Sequence, residues 1–252
     1  MLRQSTKAIV YRILPQFLLE LAYDIRYFGF PKPFKTVRPH SLLSNINLFF
    51  LQELAQRLER EEVPGDFVEC GVYRGGSAGV LGYEARRSKF ERKLWLYDSF
   101  AGMPEAIDKD DDYSRALQGT CVGSEKQTRR IMHRLSIPDE QYTIVVGLFE
   151  DTLPKSERTK IALLHIDCDF YNPVKLSLET FYESVQPGGY VLLNDYGCFQ
   201  GSRLATDEFI SNLNQDITLV QIDKDAYYFQ KPNLTSKDIV QLQDDFLENV
   251  AT

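Results

Sequence analysis

IALLHIDCDF (residues 161–170) and GYVLLNDYG (residues 189–197) are two apolar runs of strand length that each end in oxygen-bearing side chains. Their tips offer Asp167, Asp169, Asn194 and Asp195, which makes a hard-cation site the first expectation. Successive side chains of a strand alternate between faces, so a strand running through the first stretch puts His165, Asp167 and Asp169 on one face. Leu164, Ile166 and Cys168 then point to the other. Upstream, DFVECGVYRGGS (residues 66–77) reads as a buried strand entering a glycine-rich turn, where the polar tail of a ligand can approach the backbone. A metal and a cofactor are thereby expected to share one cleft.

Outward from these runs, strand and helix signals alternate. Strands are predicted over residues 67–72, 93–100 (KLWLYDSF), 142–149 (YTIVVGLF), 162–170 and 190–195, with helices over 76–87 and 174–185. The second helix sets Leu176, Leu178, Phe181 and Val185 on its inner face. Such alternation predicts an α/β fold with a doubly wound, mostly parallel sheet. Residues 218–222 and 226–230, joined by Asp223, Lys224 and Asp225, read as a hairpin that adds an antiparallel strand at the sheet edge.

Ahead of the alternating region, residues 44–61 carry Ile46, Leu48, Phe49, Leu51, Leu54 and Leu58 at helical spacing and close in a charged turn before Val63, Pro64 and Gly65. The division expected is a helical N-terminal arm or lid over 1–62 and the α/β domain over 63–252. Residues 2–27 look helical with a break near Pro15, followed by the Pro-rich link PKPFKTVRPH. The apolar stretch 7–30 is interrupted by Arg12, Pro15, Glu20, Asp24 and Arg26, lacks a small-residue cleavage site and falls short of the roughly 20 apolar residues of a membrane span. An amphipathic segment packing on the domain or on a partner subunit is expected, with contact at a membrane surface as the alternative.

At 252 residues, 43% hydrophobic and 26% charged, the chain suffices for one sizeable domain with a complete core. A balance of 29 basic against 36 acidic residues, net charge −7, argues against a nucleic-acid partner. Cys70, Cys121, Cys168 and Cys198 show no CxxC or zinc-ribbon spacing and are expected as buried free thiols in a reducing, cytoplasmic compartment.

Gly71, Gly75 and Gly76 lack the GxGxxG spacing of a dinucleotide site, so the turn alone is a weak signal. Asp98 closes the second strand, where a carboxylate can hold both hydroxyls of a ribose or simply form a turn. Glu69 lies inside a core pattern, and its burial requires a basic neighbour or a ligand ammonium. The strand-end Asp and Asn residues either bind a cation or cap turns. His40 and His133 are read as incidental, Tyr171 and Tyr196 as packing or as walls of an acceptor pocket, and the acidic residues 105–112 (EAIDKDDD) as a solvated loop.

Glu69-x-Gly71-x-Tyr73 with Gly75 and Ser77, then Asp98, residues 147–151, Asp167 and the Asn194-Asp195 pair resemble the class I S-adenosylmethionine-dependent O-methyltransferases. The nearest resemblance is to the macrocin, mycinamicin and novobiocin sugar O-methyltransferases, carried by VPGDFVECGVYRGG, LYDSFAGMPE, GLFEDTLP, LHIDCDFY and GSRLATDEF and covering residues 63–230. It implies a seven-stranded sheet of order 3-2-1-4-5-7-6 with strand 7 antiparallel. It also implies that Glu69, Gly71, Tyr73, Gly75 and Ser77 face the methionine part of S-adenosylmethionine, that Asp98 with Ser99 holds the ribose, and that Leu148, Phe149 and Glu150 border the adenine.

On the same resemblance, Asp167, Asn194 and Asp195 would hold Mg2+, Asp169 would be the general base and His165 a second candidate for that role. The family's sugar enzymes usually carry Asp-Asp where this chain has Asn194-Asp195, so one negative charge is missing. The implied reaction is methylation of a hydroxyl on a sugar or glycosylated small molecule by a homodimer. In that family the insertion matching residues 105–112 covers the acceptor, and its acidity would suit an amine-bearing one. The competing readings are a metal-dependent glycosyltransferase using Asp167 and Asp169, a nicotinamide dehydrogenase, and a non-catalytic relative that keeps the fold.

Overall fold

The computed structural model describes residues 33–232 except 158 and 214. The helix expected over 2–27, and with it most of the expected arm, lies outside these residues. Seven strands form one sheet: β1 (Asp66–Cys70), β2 (Leu94–Asp98), β3 (Tyr142–Val146), β4 (Ile161–Ile166), β5 (Val185–Leu193), β6 (Val220–Gln221) and β7 (Tyr227–Gln230). Their order is β3-β2-β1-β4-β5-β7-β6. β7 runs antiparallel to β5 and β6, and the remaining pairs are parallel.

Around the sheet lie α1 (Phe34–Val37), α2 (Asn45–Arg60), α3 (Gly76–Ala85), α4 (Asp112–Leu117), α5 (Glu125–Arg134), α6 (Phe149–Thr152), α7 (Tyr171–Phe181) and α8 (Gln200–Ser211). Alternation along the strands divides the core into two layers. Phe67, Leu94, Leu96, Leu163 and Leu192 meet α1, α2, α3 and α5 on one face. Val68, Trp95, Leu164, Ile166 and Leu193 meet α6, α7 and α8 on the other. α2 is built into the first layer: Ser44 caps it by accepting the Asn47 N–H at 3.1 Å, and Leu48, Leu51, Leu54 and Leu58 are fully buried. Ile46 and Phe49, which share the helical spacing of that apolar set, are exposed. No described helix is long and apolar enough to cross a membrane.

β2 and β3 stop short of the predicted limits, at Asp98 and Val146, and β4 stops at Ile166. The last difference matters for the site. Asp169 adopts φ +63°, a left-handed conformation, and the Phe170 N–H turns back to the Cys168 carbonyl at 2.7 Å. Asp169 therefore does not share a strand face with His165 and Asp167, as simple alternation predicts; it projects from the turn that leads into α7.

The tips of β1 and β4 are held together at Gly71. The Asp167 N–H donates to the Cys70 carbonyl at 2.8 Å, and a Cβ on Gly71 would lie 1.8 Å from the Asp167 carbonyl oxygen. Gly71 also sits at φ +93°, so both space and backbone demand glycine. Gly71→Ala is expected to destabilise by more than about 2 kcal/mol in urea unfolding. Gly119→Ala, at φ +70° but with nothing within 4 Å of the added carbon, tests strain alone and should cost about 1 kcal/mol.

Candidate active site

After β1 the chain crosses to α3 on one face of the sheet, and after β4 it crosses to α7 on the other. The neighbouring ends of β1 and β4 thus diverge, which opens a crevice at the carboxyl edge where ligands of such sheets bind. A cavity of about 590 Å³ occupies it.

One end of the cavity is built from the loop after β1. Asp98 accepts from the N–H groups of Val72 and Tyr73 at 2.6 and 2.8 Å through one oxygen, and from Phe100 at 2.6 Å through the other. The carboxylate thereby ties the tip of β2 to the loop leaving β1 while still bordering the cavity beside Ser99. Ser77, buried in the first turn of α3, and Gly71, Val72 and Tyr73 complete this wall. Leu148, Phe149 and Glu150 close it from the other side, following Gly147 at φ +150°.

The other end is acidic. Asp167, Asp169 and Asp195 all border the cavity, and no Lys or Arg does so among the described residues. Burial, followed by the mutual repulsion of these groups, pushes the Asp169 carboxyl up to about 8 and raises Asp195 as well. Burial likewise pushes Asp167 up to about 6, against the opposing charge of His165. Two contacts order the cluster: Asp195 accepts the Asp169 N–H at 3.1 Å, and Asn194 donates its Nδ2 to Asp167 at 2.9 Å.

Residues 26–231 match the family model described as Macrocin-O-methyltransferase (TylF). The chain belongs to this family of methyltransferases. It is 31% identical over 199 residues to the demethyldecarbamoylnovobiocin O-methyltransferase of Streptomyces niveus, covering 76% of each chain. To the mycinamicin III 3''-O-methyltransferase of Micromonospora griseorubida it is 29% identical, over 76% of this chain and 78% of that one. Among solved structures, the O-methyltransferase NovP superposes with a TM-score of 0.71 at 29% identity, over 77% of this chain and 83% of the other. The calicheamicin methyltransferase CalS11, at 20% identity and a TM-score of 0.61, shares the fold.

In this methyltransferase the cavity gathers Gly71, Tyr73, Ser77, Asp98, Ser99, Leu148, Phe149 and Glu150 with Asp167, Asp169, Asn194 and Asp195. Three candidates stand outside it. Gly75 caps α3 in a left-handed conformation, packed against Thr128. Glu69 and His165 are fully buried and face one another across β1 and β4, with His165 Nδ1 2.8 Å from Glu69 Oε1. Burial works against a charged His165 ring, but the Glu69 hydrogen bond and charge outweigh it and raise the imidazole above its usual range. The basic neighbour of Glu69 in the core is therefore His165, met through Oε1 alone, while Glu69 Oε2 and His165 Nε2 are buried without a hydrogen bond; His165, fully buried, has no open path to a substrate hydroxyl.

The donors fit a hard cation in kind: three carboxylates crowd one cavity wall that carries no Lys or Arg among the described residues. Among the described residues no group of three His, Cys, Asp or Glu is already drawn round a metal position. Asn194 turns its nitrogen, not its oxygen, toward Asp167. Sequence reasoning also passed over His40, Asn47, Tyr113, Phe199 and Asp225, all on the cavity wall. Only His40 carried a signal, and it was set aside. Of the cysteines, Cys70 and Cys168 are buried as expected, whereas Cys121 is exposed, and all four are free thiols. Tyr171 and Tyr196 pack outside the cavity, their hydroxyls bonded to Glu208 and Asp207.

Removing one member of the Glu69–His165 pair strands the other in the core. Glu69→Leu and His165→Leu are each expected to lose about 3–5 kcal/mol, and the double variant less than the sum of the two in denaturant unfolding. Strict additivity would show that the pair is not coupled.

Proposed function

We propose that this chain transfers a methyl group from S-adenosylmethionine to a hydroxyl of a sugar or glycosylated small molecule, with a divalent cation at its carboxylate cluster. The observation that carries the reading is a single cavity bordered at one end by the Asp98-anchored loop and at the other by Asp167, Asp169 and Asp195. Two relatives are named for methylating novobiocin and mycinamicin precursors, and a third for a rhamnosyl tetracenomycin. A fold neighbour at 15% identity, the Podospora anserina methyltransferase PaMTH1, is bound to SAH in its crystal structure.

At the donor end, the first turn of α3 presents unpaired amides beside Ser77, a suitable environment for the methionine carboxylate. Asp98 has three of about four acceptor sites taken by backbone N–H groups and keeps one for a ribose hydroxyl. Leu148 and Phe149 offer apolar surface to the adenine.

At the acceptor end, Asp169 takes the hydroxyl proton, since burial and the charges of Asp167 and Asp98 make its carboxylate a stronger base than an ordinary aspartate. Asp167 and Asp195, with Asn194, would hold the cation. When bound, a hard dication supplies Lewis-acid stabilisation of the developing alkoxide and fixes the oxygen's direction. The wall carries Asp98, Glu150, Asp167, Asp169, Asp195 and Asp225 and no Lys or Arg among the described residues. The glycosyltransferase reading has use for the acidic wall but leaves the Asp98-anchored loop and the turn from Gly71 to Ser77 without a task. The same proposal places the enzyme in the cytoplasm, on its free thiols, and as a homodimer, on the amphipathic pattern of residues 7–30.

The test is binding followed by turnover. S-adenosylmethionine at 100 times its dissociation constant should stabilise the protein by about 2.7 kcal/mol in thermal unfolding, with uridine diphosphate sugars and NADH inert. A shift with either of the latter, and none with the methyl donor, would overturn the reading. Asp169→Asn is expected to keep donor affinity in calorimetry and to lose about 100-fold or more in turnover of a glycoside acceptor; unchanged turnover removes Asp169 from the base role.

A further inference from the structure

Asn47 lies in the first turn of α2, 3% exposed, between the Ser44 cap and the buried Leu48. Its Nδ2 donates to Asn194 Oδ1 at 3.2 Å, and Asn194 Nδ2 donates in turn to Asp167 Oδ1 at 2.9 Å. Two carboxamides thus run in series from a helix in one layer of the core to the carboxylate cluster. The direction of the series is dictated at its far end. An ionised Asp167 can only accept, so Asn194 must face it with nitrogen, and Asn47 must then offer nitrogen to the Asn194 oxygen. One atom is left over: Asn47 Oδ1 is buried and has no hydrogen bond. An unsatisfied buried carbonyl is costly and is rare in a settled network.

A cation at the cluster reverses the demand, because it binds oxygen and repels the amide protons. We propose that Asn47 is a positioning residue for the cation site: its spare carbonyl receives Asn194 Nδ2 when the Asn194 amide inverts and turns its oxygen to the metal. A carboxamide serves both states because it holds a donor and an acceptor on one short arm. Leucine could serve neither, and aspartate only the inverted one. Ser44 and the core contacts of Leu48 hold the α2 backbone in place, so the two amides can exchange ends without moving the helix. The inference rests on the proposed cation and adds to it a residue remote in sequence and the orientation change it controls.

Calorimetric titration with Mn2+ on metal-free protein tests it, alongside titration with S-adenosylmethionine and a crystal soaked in Mn2+. Asn47→Leu is expected to weaken Mn2+ about 10- to 100-fold, as losses of outer-sphere partners do, with methyl-donor affinity and the metal-free melting temperature close to wild type. Asn47→Asp should restore Mn2+ affinity to the wild-type level or better. The soaked crystal should show Asn194 Oδ1 on the metal and Nδ2 on Asn47. Equal Mn2+ affinity in wild type and Asn47→Leu overturns the proposal, as does equal weakening in both variants or an Asn194 nitrogen still on Asp167 in the loaded crystal. If Asn47→Leu does not fold, Asn47→Ala carries the same comparison. Absence of Mn2+ binding in wild type and in Asn194→Asp would dismiss both the cation and the role of Asn47, while donor titration would still show whether the methyltransferase reading stands.

Discussion

The contact between the Gly71 backbone and Asp167 sets the position of everything in the cavity. Only glycine allows the tip of β1 to lie against the tip of β4, and from that point the two chains part to opposite faces of the sheet. The loop leaving β1 becomes one wall of the cavity because Asp98 captures its amides. Asp167 becomes part of the opposite, acidic wall, its own N–H held by Cys70. Beneath both, the Glu69–His165 pair joins the same two strands from inside the core. A backbone contact, a carboxylate anchor and a buried pair therefore fix the relative positions of the two ends of the cavity, the relation that the proposed group transfer depends on.

The carboxylate cluster is the opposite kind of arrangement. Asp167, Asp169 and Asp195 crowd one cavity wall, Asp195 buried and the other two half-buried, and their side chains take one backbone amide and one carboxamide. Such a group of acids is unfavourable to fold unless it holds protons or a cation. Asn194 eases the conflict twice, by lacking the charge of an aspartate and by offering a proton to Asp167. Its presence thus lowers the cost of folding the cluster with no cation in it.

The parallel sheet and the antiparallel hairpin were legible because apolar strand runs alternate with helical patterns and end in a hairpin signal, whereas the strand order came only with the family resemblance. Element ends were not. β4 stops at Ile166 because the turn into α7 takes Asp169 into a left-handed conformation, and no residue type in IDCDF announces that. Glu69 and His165 looked like site residues because charge in a strand is conspicuous; that they pair with each other depends on the β1–β4 register, a property of two distant segments. Asn47 was invisible for the same reason: a polar residue in an amphipathic helix has no signal until its partner, 147 positions away, is placed beside it.

The acidic segment after β2 shows how far composition can mislead about charge. It suggests either a solvated loop or a lid whose acidity attracts an amine, yet much of that acidity is engaged within the protein. Asp110 is 3% exposed and accepts the Tyr171 N–H at the start of α7 and the Ile107 N–H, both at 2.9 Å. Gly201 of α8 leaves the room for it, since a Cβ there would lie 1.8 Å from Asp110 Oδ1. Asp111 caps α4 through Ser114, and Asp112 pairs with Arg115. Lys109 reaches across to Glu208 and the Tyr171 hydroxyl at 2.7 and 2.6 Å. The middle of the segment is therefore fastened to α7 and α8, and the parts that border the cavity are its flanks, at Gly102, Met103 and Pro104 and at Tyr113 and Leu117. The surface those flanks present to the cavity is largely apolar. The negative charge an acceptor meets then comes from Asp169, Asp195 and Asp225 on the strand-end side of the cavity, not from the segment whose sequence advertises it.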